Sequence, residues 1–500
     1  MPVDESLLDR VGSQKHLLNF WDELTEEERN LLAEQIESID FASVKKAFEA
    51  SSTAYTASPE NLSPIPDDHH VVFEQLSSEE RQRYWRRGLE AISRGEVAAV
   101  VLAGGQASRL GSSSPKGTIP LGLNVAPCDS LLGIQASKIA LLERLASKEF
   151  PQAKDKGKIQ WLVMASKTTE AATRDHLQEV IPASGLSPDQ VTVFRQAEIP
   201  AFDNEGNLLL SSRHSIVTAP NGNGGLYSAL AEHLPAMKAR GVKYFHVYCI
   251  DNILCKVADP HMLGFFIEKG ADVATKTVLK QPGELVGSVC LDKGRPRVTE
   301  YSELGAELAE KRAEDGRLLF CAGSIANHLY SLSFLESFCD PSFHLPYHRA
   351  SKKIPHVAAD GSLVKPTSPN GIKLEQFVFD VFDRSKNFYI WEVKREDEFS
   401  PLKNAESAGK DCLSTCRRDL ALLNKKWLRK AGARIKTEPV YLSCALSYCG
   451  EVGSRALQGS GGIRAAAPMS LAAGVRTKCN CDTRLFHVIP ISIQCPFVFV

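Results

Sequence analysis

The chain has 500 residues and a mass of 54.8 kDa, which is enough for two or three domains with sizeable cores. Hydrophobic residues make up 43% and charged residues 24% of it, as is typical of soluble globular proteins. With 59 basic against 60 acidic residues the net charge is −1, so the chain lacks the basic excess of most proteins that bind nucleic acids or membrane surfaces. We therefore expect no nucleic acid and no membrane among its partners.

The N terminus and the cysteines favour a cytoplasmic protein. Residues 1–10 lack the basic start and apolar core of a secretory signal, and no apolar run approaches the length of a membrane span. The 13 cysteines are odd in number and include no C-x-x-C pair with the spacing of a zinc site. Reduced thiols are the expectation that follows.

Residues 1–94 are predicted to form an N-terminal helical region. Apolar residues recur at helical spacing between Leu7 and Leu24, and two capping-box sequences, at Thr25–Glu28 and Ser77–Glu80, predict helix starts. Three prolines within Ser58–Asp68 indicate a linker or an extended segment that wraps the main domain. We find no catalytic pattern in this region.

From Val97 onward, apolar runs typical of strands alternate with helical segments. The runs cover 97–102, 159–165, 191–194, 244–250, 271–278 and 286–291. This alternation predicts an α/β fold with a mixed, mostly parallel sheet flanked by helices, and binding groups at the carboxyl ends of its strands. We assign 95–400 to a catalytic domain and 401–500 to a C-terminal region.

A glycine-rich loop follows the first of these strands. Residues 97–116 read V-A-A-V-V-L-A-G-G-Q-A-S-R-L-G-S-S-S-P-K. Glycines let several backbone N–H groups face one anion, and Arg109 and Lys116 add two positive charges, so the loop is typical of a phosphate site. The spacing matches neither the Walker loop nor the dinucleotide fingerprint. It resembles the signature, ending in Pro-Lys, of nucleotidyltransferases that make sugar nucleotides; the alternative is a simple tight turn.

Three further positions are candidates for a nucleotide site. The loop A-P-N-G-N-G-G-L-Y at 219–227, with Gly222 and Asn223, could present backbone and amide groups to a base and ribose, or could be a hairpin turn. Gln196 could pair with the edge of a base, or could be a surface glutamine. Asp251 follows a buried run and could hold Mg²⁺ against phosphate oxygens, or could cap the next helix.

The order of several motifs makes the resemblance more specific. To the glycine loop and 219–227 the sequence adds V-F-R-Q at 193–196, H-V-Y-C-I-D-N-I-L at 246–254, T-E-Y-S-E-L at 299–304, N-G-I-K-L-E-Q-F-V-F-D at 370–380 and F-S-P-L-K-N at 399–404. Over residues 10–450 the chain resembles the eukaryotic UDP-N-acetylhexosamine pyrophosphorylases. The resemblance implies a nucleotide-diphospho-sugar transferase-like (Rossmann-like) fold. It also implies an enzyme that converts UTP and N-acetylglucosamine 1-phosphate, and possibly the galactosamine isomer, into the UDP-sugar and pyrophosphate.

The same resemblance implies roles for individual residues. The nucleotide would contact Leu102, Ala103, Gly104, Gly105, Gln196, Gly222, Asn223, Asp251 and Lys373. Catalysis would depend on Arg109, Lys116 and Lys403, and Asp251 would also bind Mg²⁺ or Mn²⁺. The sugar would contact Gly287, Glu300, Tyr301 and Ser324, and its N-acetyl group would lie against Phe377 and Phe379. Family members are expected to be monomers or homodimers.

The chain departs from the family pattern in two places. Where members commonly have A-G-N-I-A-N-H, residues 322–328 read A-G-S-I-A-N-H, so Ser324 replaces an asparagine that contacts the sugar. After about residue 452 the chain has an atypical tail with one acidic residue, Asp482, which we interpret as an alternative or misread end of the message. These departures leave open a pyrophosphorylase for other UDP-sugars and a non-catalytic UDP-sugar-binding paralogue.

Overall fold

A computed structural model describes residues 3–52, 58–125, 129–153, 156–340, 342–433, 435 and 438–451. The α-helices of these ranges are α1 (Glu5–Val11), α2 (Glu26–Ser38), α3 (Phe41–Ala50), α4 (Ser78–Ser93), α5 (Leu131–Glu149), α6 (Glu170–Ser184), α7 (Leu226–Leu230), α8 (Leu234–Ala239), α9 (Pro260–Lys269), α10 (Tyr301–Leu304), α11 (Ala306–Glu310), α12 (Leu332–Glu336), α13 (Arg395–Glu398) and α14 (Leu413–Lys430).

The strands of the same ranges are β1 (Leu62–Ser63), β2 (His70–Val72), β3 (Val97–Leu102), β4 (Gln160–Ala165), β5 (Val191–Arg195), β6 (Glu198–Pro200), β7 (Phe202–Asp203), β8 (Leu210–Ser212), β9 (Ser215–Ile216), β10 (Thr218–Pro220), β11 (Tyr244–Cys249), β12 (Val273–Leu279), β13 (Ser288–Asp292), β14 (Arg295–Thr299), β15 (Ala322–Ser331), β16 (His348–Lys352), β17 (His356–Val357), β18 (Leu363–Val364), β19 (Gly371–Glu375) and β20 (Phe388–Val393).

An 11-stranded mixed sheet forms the centre of the molecule. Its main path runs β2-β20-β12-β15-β11-β3-β4-β5, with β1, β13 and β14 attached beside β15. Strand β3 is buried along its whole length and is parallel to both neighbours, because its unbroken apolar run is covered on both faces. The predicted α/β fold is confirmed, and each predicted strand lies within two residues of an observed one.

Several strands of the central sheet end or begin at the same edge. Strands β3, β11 and β12 finish there, and the antiparallel β15 begins there, with Ala322 opposite Leu279. A bulge interrupts β15 near this edge, since Thr275 pairs with His328 but Thr277 pairs with Ser324. Within the bulge Ala326 has a φ of 49°. Bulges of this kind redirect side chains, and they are frequent beside active sites.

The N-terminal region packs against a smaller sheet, β16-β19-β7. One apolar cluster joins Leu32 and Ile36 of α2 to Ile372 and Leu374 of β19. Both predicted capping boxes are present, at the starts of α2 and α4. The proline-containing segment 58–68 wraps the main domain, because β1 pairs with β13.

The C-terminal region folds back onto the main domain through α14 and the segment after it. Tyr448 donates a hydrogen bond of 3.0 Å from its hydroxyl to the carbonyl of Val257. The atypical tail after about residue 452 lies outside the described residues. No helix in the described part of the chain is long and apolar enough to cross a membrane. All nine cysteines in that part carry free thiols.

Candidate active site

The glycine loop begins where β3 ends and closes on itself. The Ala103 N–H donates to the carbonyl of Met164 at 2.8 Å, which keeps the start of the loop beside β4. The Lys116 N–H donates to the carbonyl of Gly105 at 3.1 Å. Gly105 is exposed, and a Cβ there would meet no atom within 4 Å. The loop therefore holds Lys116 beside the exposed Gly105, where the backbone is open to a ligand.

The side chain of Gln196 lies against this loop. It is 6% exposed, so the alternative of a surface glutamine is wrong. A Cβ on Gly104 would lie 2.6 Å from the Gln196 Nε2, so only glycine leaves room for this contact. Leu102 and Ala103 are buried, at 7% and 1% exposure, so an incoming ligand would meet their backbone rather than their side chains.

Asp251 and Lys403 are brought together by the side chain of Asn252. The Asn252 amide donates to the carbonyl of Glu398 at 2.7 Å and accepts from the Ser400 N–H at 3.0 Å. The Asp251 carbonyl in turn accepts from the N–H of the residue before Lys403, at 2.8 Å. The helix-cap alternative for Asp251 is wrong, because a different aspartate, Asp259, caps α9.

The charges of this region act on one thiol. Burial, and to a smaller extent the Asp251 carboxylate, raise the pKa of Cys249, at the end of β11, to about 12. The ammonium groups of Lys403 and Lys116 oppose that rise. The charges of Asp251, Lys403 and Lys116, three of the predicted phosphate and metal residues, therefore all act on the end of β11. Arg109 lies in the exposed turn of the glycine loop.

The 219–227 segment is clamped onto the chain that follows β19. The Gly224 N–H donates to the carbonyl of Gln376, and the Gln376 N–H donates to the carbonyl of Asn221, both at 2.8 Å. The Asn223 Oδ1 accepts from the Val378 N–H at 2.9 Å. The hairpin alternative is wrong, because the segment continues into α7. The side-chain oxygen of Asn223 thus already accepts a hydrogen bond within the protein, and its NH₂ group is left to donate to a ligand.

Gly222 is the residue on which this clamp depends. Its φ is +90°, and a Cβ would lie 2.4 Å from the Gln376 carbonyl oxygen. We expect Gly222→Ala to lower both the melting temperature and UTP turnover, since the collision adds to a backbone strain of about 1–3 kcal/mol. Gly241→Ala is the matched control, because Gly241 has a φ of +84° but no neighbouring atom within 4 Å. Equal losses of stability and turnover in the two variants would contradict the clamp.

The predicted sugar residues Gly287, Glu300 and Ser324 converge at the start of β15. The Ser324 N–H donates to the Gly287 carbonyl at 2.8 Å, and a Cβ on Gly287 would lie 3.2 Å from the Glu300 Oε1. Burial raises the pKa of the Glu300 carboxyl, and the neighbouring Glu303 raises it further. The backbone of Tyr301 begins α10, but its side chain lies outside the described part of the chain.

Phe377 and Phe379 form a stacked pair on the chain that follows β19. Their ring centroids are 5.1 Å apart and both rings are partly exposed, so neither is a fully buried core residue. Lys373 lies on β19 opposite Ala350, and no hydrogen bond or ion pair among the described residues joins it to another predicted site residue. The structure thus brings most of the predicted residues into contacting groups along the sheet edge and the β19 connection. Neither the Lys373 nor the Arg109 side chain forms a hydrogen bond or ion pair with these groups in the described ranges, and the Tyr301 side chain is outside the described residues.

Several neighbours of these groups were missed by sequence reasoning. Asn252 and Gln376 hold the loops together, and His348 lies beside Phe377. Asp380 is the last residue of the motif at 370–380. Its contact with His348, at 2.9 Å, could not be predicted, because the sequence does not indicate which residue is its partner. His348 has no motif around it, so the sequence carries no local signal for it.

Comparison with known proteins places the chain in a family. The sequence model described as UTP–glucose-1-phosphate uridylyltransferase matches residues 40–444. The chain belongs to this uridylyltransferase family. A probable UDP-N-acetylglucosamine pyrophosphorylase from Caenorhabditis elegans is 54% identical over 454 residues, which cover 90% of this chain and 93% of that protein. The UDP-N-acetylglucosamine pyrophosphorylase of Saccharomyces cerevisiae is 40% identical, with 90% and 96% covered. The resemblance inferred from the sequence is confirmed.

Solved structures within the uridylyltransferase family agree with the fold. The uridine diphosphate N-acetylglucosamine pyrophosphorylase of Trypanosoma brucei superimposes with a TM-score of 0.76 at 28% identity, covering 90% of this chain and 94% of that one. A putative UDP-N-acetylglucosamine pyrophosphorylase from Entamoeba histolytica gives a TM-score of 0.71 at 34% identity, covering 78% and 96%. The described sheet and its flanking helices are therefore those of a UDP-sugar pyrophosphorylase.

Proposed function

We propose that this uridylyltransferase transfers the uridylyl group of UTP to N-acetylglucosamine 1-phosphate, giving UDP-N-acetylglucosamine and pyrophosphate. The observation that carries the proposal is the 54% identity to a relative named for the N-acetylated sugar nucleotide. The described groups support it, because the chain has both a glycine loop with two cationic side chains and a stacked aromatic pair suited to an acetyl group.

The chemistry requires little from the protein beyond positioning. A phosphate oxygen of the sugar 1-phosphate attacks the α-phosphorus of UTP in line, and pyrophosphate leaves. The attacking oxygen is already ionised, so no general base is needed. Catalysis then consists of aligning the two substrates and neutralising the charge on the leaving group, for which Lys116, Lys403 and Arg109 are the candidates.

We further propose that Asp251 holds Mg²⁺ or Mn²⁺ when UTP is bound. Its carboxylate is partly exposed at the end of β11 and accepts no hydrogen bond from the described residues, so it is available to a cation. No group of three or more metal-binding side chains occurs in the ranges that the structure covers. That pattern suits Mg²⁺, which commonly takes one or two carboxylates together with substrate phosphates. The ion would supply charge neutralisation at the phosphates.

Chelation tests the metal proposal. EDTA is expected to abolish pyrophosphate release, and added Mg²⁺ is expected to restore it. Asp251→Asn should need a higher Mg²⁺ concentration for half-maximal rate, since it removes the anionic oxygen that attracts the cation. Wild-type turnover that persists in excess EDTA would contradict the proposal.

The substrate is tested by pyrophosphate release from UTP with N-acetylglucosamine 1-phosphate, N-acetylgalactosamine 1-phosphate and glucose 1-phosphate in parallel. We expect both acetylated sugars to react faster than glucose 1-phosphate, because the Phe377–Phe379 pair offers apolar surface to the acetyl group. Ser324 has a shorter side chain than asparagine, so one hydrogen bond to the sugar is expected to be lost or mediated by water, and the ratio between the two acetylated sugars measures its effect. Fastest turnover of glucose 1-phosphate would replace the proposal with another UDP-sugar; binding of UDP-N-acetylglucosamine without turnover would favour a non-catalytic paralogue.

We also propose that the protein works in the cytoplasm as a monomer or homodimer. The free thiols of the described cysteines suit a reducing compartment. Cell fractionation tests the location, and sedimentation velocity tests the oligomeric state.

A further inference from the structure

A histidine–aspartate pair supports the aromatic side of the candidate sugar site. The His348 Nε2 lies 2.9 Å from the Asp380 Oδ2, and the His348 ring stacks on Phe377 with centroids 4.4 Å apart and planes at 27°. The same Asp380 oxygen accepts the Phe377 N–H at 3.2 Å. Phe377 is therefore held twice, through its ring by His348 and through its backbone by Asp380.

The charged groups around this pair also reach Glu300. The charges of Asp380, Glu303 and Arg297 act on His348, and those of Glu303, His348, Lys280 and Asp380 act on Glu300. Burial by itself would lower the pKa of His348, but the hydrogen bond and charge of Asp380 raise it above its ordinary value. A protonated His348 lowers the pKa of Glu300, against the rise that burial and Glu303 cause, and acts on it more strongly than Asp380 does.

The positive charge of His348 matters for sugar binding because it favours the ionised form of Glu300. An ionised carboxylate accepts hydrogen bonds at both oxygens, whereas a protonated one must donate from one of them. A partly buried carboxyl beside two other acidic side chains tends to hold its proton. A positive charge beside it keeps it an acceptor for sugar hydroxyls.

We infer that His348 and Asp380 are positioning residues for the sugar phosphate, which fix the Phe377 ring and set the charge that acts on the Glu300 carboxylate. The inference rests on the proposed function, since it concerns the sugar side of the same site. It assigns neither residue to the chemical step, because neither lies in the phosphate-binding group at the end of β3.

His348→Phe separates the two roles, because it keeps a ring to stack on Phe377 and removes the charge. We expect KM for N-acetylglucosamine 1-phosphate to rise about tenfold, with KM for UTP within twofold of wild type. The acid limb of kcat/KM for the sugar phosphate should move to higher pH, because only Lys280 then opposes the effect of Glu303 and Asp380 on the pKa of Glu300. The second ionisation of the sugar phosphate, near pH 6, is common to both enzymes and cancels in the comparison.

Three controls make the result specific. His348→Gln keeps a donor to Asp380 without a charge and should shift the acid limb in the same direction, which covers the case of a poorly folded His348→Phe. In a Glu300→Gln background, His348→Phe should leave the acid limb of the kcat/KM pH profile where it is. His69→Phe is the matched control, since His69 stacks on Tyr389 at 4.6 Å on the far side of the sheet and should leave KM and the pH profile unchanged.

An unshifted acid limb in both His348 variants, or an equal rise in KM for UTP and for the sugar phosphate, would overturn the inference. Absence of wild-type turnover would instead overturn the proposed function. In that case the same pH comparison is made on binding of UDP-N-acetylglucosamine, where a shifted limb supports the pair and an unshifted one overturns it.

Discussion

Lys116→Ala is expected to lower kcat/KM for uridylyl transfer by about 10²–10³-fold and to leave the fold intact. The loss follows from removing one preorganised charge at the position where negative charge develops, which typically costs that factor. The fold should survive because alanine keeps the backbone N–H that donates to Gly105, and the Lys116 side chain makes no hydrogen bond or ion pair with the described residues. Steady-state kinetics and thermal unfolding measure the two quantities.

The control for this substitution is Lys269→Ala. Lys269 is exposed at the end of α9, at the edge of the sheet opposite the glycine loop, so its loss changes the net charge equally without touching the site. It should retain wild-type kcat/KM. Lys116→Arg should recover part of the rate, because it restores the charge with a different shape. A Lys116→Ala enzyme with unchanged kcat would contradict the phosphate role of this lysine.

The elements that could be predicted from sequence are those whose signal is local. Strand β3 has the bounds expected from its apolar run, because burial on both faces needs only those six residues. The helix starts at Thr25 and Ser77 were predictable for the same reason, since a capping box is complete within four residues. The positions of Gly104 and Asp251 at the sheet edge follow from β3 and β11 being parallel neighbours.

The contacts that could not be predicted are those of a side chain with a residue distant in sequence. The Asn252 amide reaches Glu398 across 146 positions, and His348 reaches Asp380 across 32. Nothing in the neighbourhood of either residue specifies its partner. The bulge at Ala326 also leaves no mark in the sequence, because alanine is not a residue that a positive φ normally selects. Motif order identified the chemistry of the site, but its supporting contacts depend on the tertiary fold.

Strand β12 contributes a fully buried charge to a contact of this kind. Its run V-A-T-K-T-V-L carries Lys276 into the core, where the side chain is 0% exposed. The Lys276 ammonium donates to Asp259 at 2.6 Å and also to Glu398, and Glu398 pairs with Lys256 at 2.8 Å. This cluster fixes α13, after which the chain continues to Lys403 in the candidate phosphate site. The cluster is thus linked to both stability and site geometry.

We expect Lys276→Met to lower the free energy of unfolding by about 3–5 kcal/mol, because it leaves two buried carboxylates facing one remaining ammonium group. Urea unfolding followed by fluorescence measures the loss. Lys238→Met is the matched control: Lys238 donates to Glu336 at the same 2.6 Å, but on the surface, where an ion pair contributes at most about 1 kcal/mol. A similar, small loss in both variants would show that the buried cluster stabilises the fold no more than a surface pair.

The pH dependence of this difference identifies its cause. Burial alone would raise the pKa of Asp259, but Lys276, His261 and Lys256 hold it well below its ordinary value. A carboxyl with a depressed folded-state pKa contributes stability above its unfolded pKa of about 3.9, and that contribution is lost as pH falls. The gap between wild type and Lys276→Met should therefore narrow on acidification. Adding Glu398→Gln to Lys276→Met should recover stability at neutral pH, since it removes the carboxylate that lost its partner. A gap that stays constant with pH would mean that lost packing, and not unpaired charge, destabilises the variant.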